Sequence, residues 1–306
     1  MTRTEKLLYT LIFIIISFIV FLFIQNFNKI SNNMEEFISN MKEPKINIPN
    51  DKTIYNRKYT YKTVHETDNF IPKNIDDLKN IYYTILNKGW DEFTFYCDKE
   101  YESCADDVRN IANDSEYINL INNYVSPFNS YKKYNTVITN NNEINVSIEK
   151  LYTKDEIDKI NNKLDNIFND LSINNTINSN NIKKLHDYLI DNIKYDEEYT
   201  ENNRESISNK AYGALFNGVA LCSGYTDTFA LMLDRLSIPN FKVTSSEHVW
   251  NVVYYNGKWT HIDATWDDDE VNKNNQHNFY MITTDELLKK DKKEHNFNIN
   301  DYLELK

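Results

Sequence analysis

The chain has 306 residues, enough for one large or two small domains with cores of their own, and its charged content of 26% excludes a globally disordered polymer. A formal net charge of −12 with no basic stripe excludes DNA or RNA as a partner, because nothing would neutralise a row of phosphates. The 22 Tyr and 16 Phe residues supply much of the apolar area.

From the amino terminus, Leu7 to Ile24 is an almost unbroken apolar run, interrupted only by Tyr9, Thr10 and Ser17. As a helix it would be roughly 27 Å long, close to the thickness of a hydrocarbon core. A cleaved signal peptide and an uncleaved anchor both begin this way. The run exceeds the usual signal-peptide core, Gln25-Asn26-Phe27-Asn28 offers no small-residue cleavage site, and no Cys follows closely to take a lipid. These features favour a transmembrane anchor over residues 1–28. Arg3, Lys6 and the terminal amine precede the span and only Lys29 follows closely, which orients the bulk of the chain outside the cell membrane.

Residues 29–73 are polar and hold Pro44, Pro49 and Pro72, the pattern of a stalk. The pattern then becomes globular. Ile75 to Asn87 reads as a helix, Glu92 to Cys97 as a strand, and Ala105 to Tyr124 as one or two short helices. Tyr134 to Tyr152 reads as a hairpin turning at Asn140-Asn141-Asn142. Residues 74–152 thus form a small α+β accessory domain without a catalytic constellation, in which Cys97 and Cys104 either pair or stay free. Over residues 153–306, Asp155 to Leu171 has helical apolar spacing (Ile157, Ile160, Leu164, Ile167, Leu171). A second helix runs from Asn181 to Ile193 and carries His186, a surface or core histidine.

Chemistry concentrates between Ala211 and Asp269. Glycine is scarce, five residues in all, yet Gly213, Gly218 and Gly224 fall together here. The run Gly218-Val219-Ala220-Leu221-Cys222-Ser223-Gly224-Tyr225 leads into an apolar helical pattern of Phe229, Leu231, Met232, Leu233 and Leu236, which sets Cys222 at a helix amino terminus. There unpaired N–H groups and the positive dipole end favour a thiolate, the nucleophilic form. Gly218 and Gly224 let the backbone turn tightly and present N–H groups to an incoming carbonyl. The competing reading of Cys222 alone is a structural cysteine under a helix.

Downstream, Glu247 to Tyr255 and Lys258 to Trp266 read as paired strands around Asn256-Gly257, a type I′ hairpin signal. A two-residue loop sets Tyr255 opposite Lys258, hence Trp250 opposite Asp263 and His248 opposite Thr265. Side chains alternate, so these last four share one face. His248 and Asp263 become diagonal neighbours at roughly 7 Å, a gap two polar side chains close to a hydrogen bond. Asp263 would fix one imidazole tautomer while the other ring nitrogen takes the Cys222 proton. His261 shares the face and is a rival base, but it faces Val252, whereas His248 begins its strand at the mouth of a cleft. Cys97 and Cys104 lack the other ligands of a zinc set, so neither a metal nor an organic cofactor is expected.

Three segments, Gly218 to Tyr225, His248 to Val253 and Trp259 to Trp266, resemble the Cys, His and Asp motifs of the transglutaminase-like superfamily in order and spacing, with Tyr212-Gly213-Ala214-Leu215 as lead-in. The resemblance covers roughly Leu185 to Asp269, with small departures at Ser223 and Val249. It implies a papain-like α+β fold in which a helix bearing the cysteine packs on an antiparallel sheet bearing histidine and aspartate. It also implies His248 rather than His261 as the base, and a protein or peptide substrate.

Such a site attacks an acyl carbon and passes through a thioester. Water as acceptor makes a peptidase or amidase on protein or cell-wall peptide; a lysine amine makes a cross-linking transglutaminase. A surface binding module that keeps the fold is the reading from another class, though it has no need of an intact triad. The Cys222 N–H is the expected oxyanion donor. Tyr212 is a weaker candidate for a second, or a core tyrosine, and Trp250 and Trp266 either wall the cleft or pack.

Overall fold

The computed structural model describes residues 3–42, 45–49, 53–139, 143–174, 176–198, 207–268 and 277–306. These fall into two units, one ending at Ile46 and one running from Asn47 to Lys306.

The first unit is a single helix, α1 (Arg3–Lys42). Within it Tyr9–Phe27 is long and apolar enough to cross a membrane, with a mean hydropathy of 2.5 and its side chains exposed. The helix runs well past the expected end of the anchor at 28, because no proline interrupts the chain before Pro44.

The second unit opens with a strap, residues 53–73, that has no regular helix or strand. This segment was expected within the stalk, yet Arg57, Tyr61, Val64 and Phe70 are buried. The strap's polar composition conceals specific partners. The Arg57 guanidinium donates to Asp234 and to the Asn240 carbonyl at 2.9 Å, and the Tyr61 hydroxyl donates to that carbonyl at 2.7 Å. Thr63 donates to Glu304 through both its N–H and its hydroxyl.

Helix α2 (Ile75–Lys88) starts at Asn74, whose side chain accepts the Asp77 N–H, and stops at Gly89 in the left-handed region. Strand β1 (Glu92–Tyr96) follows, then α3 (Cys104–Asn113) and α4 (Ser115–Asn123). Cys97 and Cys104 form a disulfide, which resolves the alternative left open by sequence. Strands β2 (Tyr131–Ile138) and β3 (Glu143–Lys150) make the expected hairpin, its turn lying outside the described residues, and β1 joins it in the order β1-β3-β2. Packing crosses the boundaries drawn at 73 and 152: Tyr61 meets Tyr124 edge-on, Tyr124 stacks on Phe241, and Asn123 donates to Thr244.

The remaining elements build the site. Helix α5 (Lys154–Asp170) begins in a capping box of Thr153 and Glu156, and α6 (Ser179–Asn192) carries Ile182, Leu185 and Leu189 into the core. Short strands β4 (Lys194–Tyr195) and β5 (Val219–Ala220) pair in parallel, flanking α7 (Ala211–Asn217). Helix α8 (Cys222–Arg235) is buried along most of its length. It lies against an antiparallel sheet of β6 (Asn240–Thr244), β7 (Val249–Tyr255), β8 (Lys258–Ile262) and β9 (Tyr280–Ile282), in that order. The Thr226 hydroxyl donates to the Val249 carbonyl and Asn251 donates back to the Thr226 carbonyl, both at 3.0 Å, which fixes helix to sheet. Helices α9 (Ala264–Asp267) and α10 (Thr284–Lys290) complete the unit.

Candidate active site

Cys222 is the first residue of α8, and Leu221 before it makes no side-chain cap bond. The thiol therefore sits among the amides of a first turn that have no intrahelical acceptor. Backbone contacts hold this helix start in place. The Leu221 N–H donates to the Ser208 carbonyl at 2.8 Å, and a Cβ on Gly224 would lie 2.5 Å from that same oxygen. Sequence reasoning assigned both Gly218 and Gly224 to a tight turn. Gly218 does adopt a φ of 64° as it ends α7, but Gly224 is helical and is needed for close approach instead.

The β7–β8 register is the expected one, with Tyr255 opposite Lys258 and Asn251 opposite Ile262. The strand then stops sooner than expected. Asp263 is the N-cap of α9, its Oδ1 accepting the N–H groups of Thr265 at 3.0 Å and Trp266 at 3.2 Å, so Thr265 belongs to a helix and not to the shared sheet face. A carboxylate that can cap a helix ends the strand. The diagonal approach survives this change: His248, one residue before β7, brings Nε2 to 2.5 Å from Asp263 Oδ2. Cys222 lies in electrostatic reach of this ring and is among the groups that raise it.

Electrostatics follow from burial and pairing. Burial alone would favour neutral His248, but the charge and hydrogen bond of Asp263, together with Cys222, raise it to about 10. Burial would likewise raise Asp263, yet His248 and His295 hold it well below the usual carboxylate range. Both shifts describe one ionised pair.

His295 is the participant that sequence reasoning missed. It is fully buried, with Nε2 at 2.9 Å from Asp263 Oδ2 and Nδ1 at 2.9 Å from Asp291 Oδ2. Its sequence signal is faint, one of six histidines and outside any periodic element. His261, the rival base, is buried and neutral: burial first, and the charge of His295 second, lower it to about 3. Its Nδ1 accepts from the Trp250 indole at 2.9 Å, and its Nε2 meets Thr284.

The other expected residues take packing positions. Trp250 is buried and stacks on the His248 ring, centroids 5.6 Å apart, so it backs the imidazole rather than lining an open cleft. Trp266 is half-buried, 6.4 Å from His248 and 5.0 Å from His295. Tyr212 stacks on Phe216 and lies in electrostatic reach of Lys159 on α5. Tyr195 pairs opposite Ala220 on β5, two residues before Cys222, and is raised by burial and then by Cys222.

Among the described residues, two groups of side chains converge closely enough to hold a cation: His186, Asp187 and His277, and His248, Asp263 and His295. In the first, the Lys183 ammonium lies 2.6 Å from Asp187 and 2.9 Å from His277, where a metal would sit. His186 is a core histidine, fixed by buried Asp267 at 3.1 Å. In the second group the atoms bond directly to one another.

The helix that opens on Cys222 packs against an antiparallel sheet with His248 just before β7 and Asp263 just after β8, as the sequence motifs implied. Residues 167–264 match the model of the transglutaminase-like superfamily, and Cys222, His248 and Asp263 all fall inside the match. Among solved structures, the chain is similar to a TGase at 16% identity and a TM-score of 0.33, over 44% of each chain. It is also similar to a protein from Cytophaga hutchinsonii described as a candidate cysteine protease, at 12% identity and a TM-score of 0.27, over 44% of this chain and 61% of that one. The chain thus spans less than two thirds of either. No curated protein matches it in sequence.

Proposed function

We propose that the chain is a cysteine-dependent acyl-transfer enzyme held outside a cell membrane by α1, with Cys222 as nucleophile, His248 as base and Asp263 as its orienting partner. The observation that carries this reading is the buried His248–Asp263 pair, 2.5 Å apart, with Cys222 at the start of α8 in electrostatic reach of His248. The reaction we favour is hydrolysis of amide bonds in protein or cell-wall peptide. Cys222 is partly exposed, so water can reach a thioester formed there. The Cys97–Cys104 disulfide fits an oxidising compartment, and Arg3 and Lys6 ahead of the apolar span fit an inside amino terminus.

His248 takes the thiol proton, and the thiolate attacks the substrate carbonyl carbon. The oxyanion gains the Cys222 N–H, with the Tyr195 phenol as second donor. Collapse expels the amine, which takes the proton from the imidazolium and leaves a thioester. Water, deprotonated by His248, then releases the acid and restores the thiol. Asp263 keeps its charge throughout and stabilises the imidazolium in both halves.

The test uses the full chain in detergent, a glutamine-donor peptide with and without a primary amine, and Cys222→Ala as control. Ammonia release or peptide cleavage that the amine leaves unchanged supports hydrolysis. Incorporation of the amine would make the chain a cross-linker instead. No Cys222-dependent product, with alkylation by iodoacetamide unaffected by His248→Ala, would leave a binding module.

A further inference from the structure

His295 follows Asp263 by 32 positions and is enclosed by Phe279, stacked at 5.2 Å, with Trp250 at 4.8 Å and Trp266 at 5.0 Å. Packing alone does not require an imidazole in this cage. Both of its polar contacts are carboxylates: Asp263 Oδ2 and Asp291 Oδ2, each at 2.9 Å. Carboxylates only accept, so the ring serves both of them only by donating from both nitrogens, which is the imidazolium form. Asp291 is itself fixed, accepting the N–H groups of Lys293, Glu294 and His295.

We propose that His295, held by Asp291, is a positioning residue of the site: a second imidazole that shares the Asp263 oxygen used by His248 and thereby sets the pH range over which His248 keeps its proton. The proposal rests on the thiol-enzyme reading above. Sharing has two consequences. Asp263 is gripped at both oxygens, Oδ1 by two amides and Oδ2 by two imidazoles, so its carboxylate cannot rotate away from His248. The two rings also lie 5.2 Å apart and compete for one negative charge, so a positive charge on one opposes a positive charge on the other. The other titratable groups around His295 are His261 on β8, neutral, Glu294 beside it in sequence, and Lys290 of α10, whose ammonium lies over the far ring of Phe279.

The sign follows. Removing the competing ring at 295 leaves Asp263 Oδ2 to His248 and lets it hold its proton to higher pH. Iodoacetate reads this directly, because an imidazolium attracts its carboxylate and the alkylation rate falls when His248 loses the proton. The rate at Cys222 is measured against pH in the full chain for the unmodified protein, His295→Gln and Asp291→Asn. In His295→Gln, which keeps an amide donor toward Asp263, the alkaline fall moves up by about one pH unit or more, and in Asp291→Asn by a smaller amount in the same direction. An alkaline limb that stays put in both variants, with both folded, overturns the proposal. Should the Gln variant fail to fold, Asp291→Asn decides alone, and an unmoved limb there overturns it. An unmodified chain with no His248-dependent alkylation would instead overturn the thiol-enzyme reading itself, so the two failures are distinguishable.

Discussion

Arg57 and Asp234 are 177 positions apart in sequence and 3.1 Å apart in space. The pair ties the strap to the last turn of α8, the helix that begins with Cys222, and the Arg57 side chain is only 2% exposed. Burial favours its neutral form and Asp234 overrides that, keeping it charged. Arg57→Ala removes the pair and leaves the Asn240 carbonyl short of a donor. The expected loss is about 3 kcal/mol, discounted from the fully buried case because Asp234 is partly exposed, and is read as a drop in denaturation midpoint. A midpoint within error of the unmodified protein would mean that the strap contributes nothing to the unit.

Asp263→Asn preserves shape while removing the charge that orients His248. Turnover of a peptide or amide substrate should fall by about a thousandfold, with little change in KM. Equal losses in KM would point to a binding role.

Stability should depend on pH in a defined direction. His248 is raised from 6.5 to about 10, so the stabilisation it supplies is fully present below about pH 6.5 and is lost as pH rises toward 10. Asp263 is depressed, so its contribution is present above about pH 4 and is lost as pH falls through its folded value. The melting temperature should therefore decline from neutral to alkaline pH, and His248→Gln should flatten that decline. A melting temperature that climbs between neutral and alkaline pH in the unmodified chain would contradict the ionised pair.

At Gly224 an added methyl meets the Ser208 carbonyl at 2.5 Å and the Ala220 Cβ at 2.9 Å, both parts of the scaffold that aims Cys222. Gly224→Ala is expected to cost about 2 kcal/mol and to lower the Cys222 alkylation rate by more than the stability loss explains. A crystal structure of the variant with α8 unmoved would rule this out.

Tyr195→Phe removes the phenol proposed as second oxyanion donor. As an oxyanion donor it should lower kcat by roughly a hundredfold and leave Cys222 alkylation unchanged. A variant with full kcat would leave the Cys222 amide as the only donor argued for.

The local part of the site is legible in the sequence because it rests on short-range rules. Asn256-Gly257 fixes a hairpin whose register holds from Tyr255–Lys258 to Asn251–Ile262. The cysteine stands where an apolar helical pattern begins, as α8 does. Periodicity does not register the competition at Asp263, where helix capping takes over from strand pairing. Long-range partners leave even less trace. His295 lies outside any periodic element, and the Arg57, Tyr59 and Tyr61 strap looks like a polar linker until Asp234 and Asn240 are brought to it. Tyr212 is only a weaker candidate by its nearness to Cys222 in sequence, whereas Tyr195 comes within electrostatic reach of the thiol through the parallel pairing of β4 with β5.

The strap also bears on how the chain reaches its folded form. Arg57 waits for Asp234, Tyr61 waits for Asn240 at a separation of 179, and Thr63 waits for Glu304 at a separation of 241. Contacts of that span close late, and during vectorial synthesis residues 57–63 emerge with none of these partners yet made. Throughout that interval Tyr59, Tyr61 and an unpaired arginine are open to other surfaces. For a chain that also presents an apolar helix first, this is the stretch where a chaperone would have most to protect.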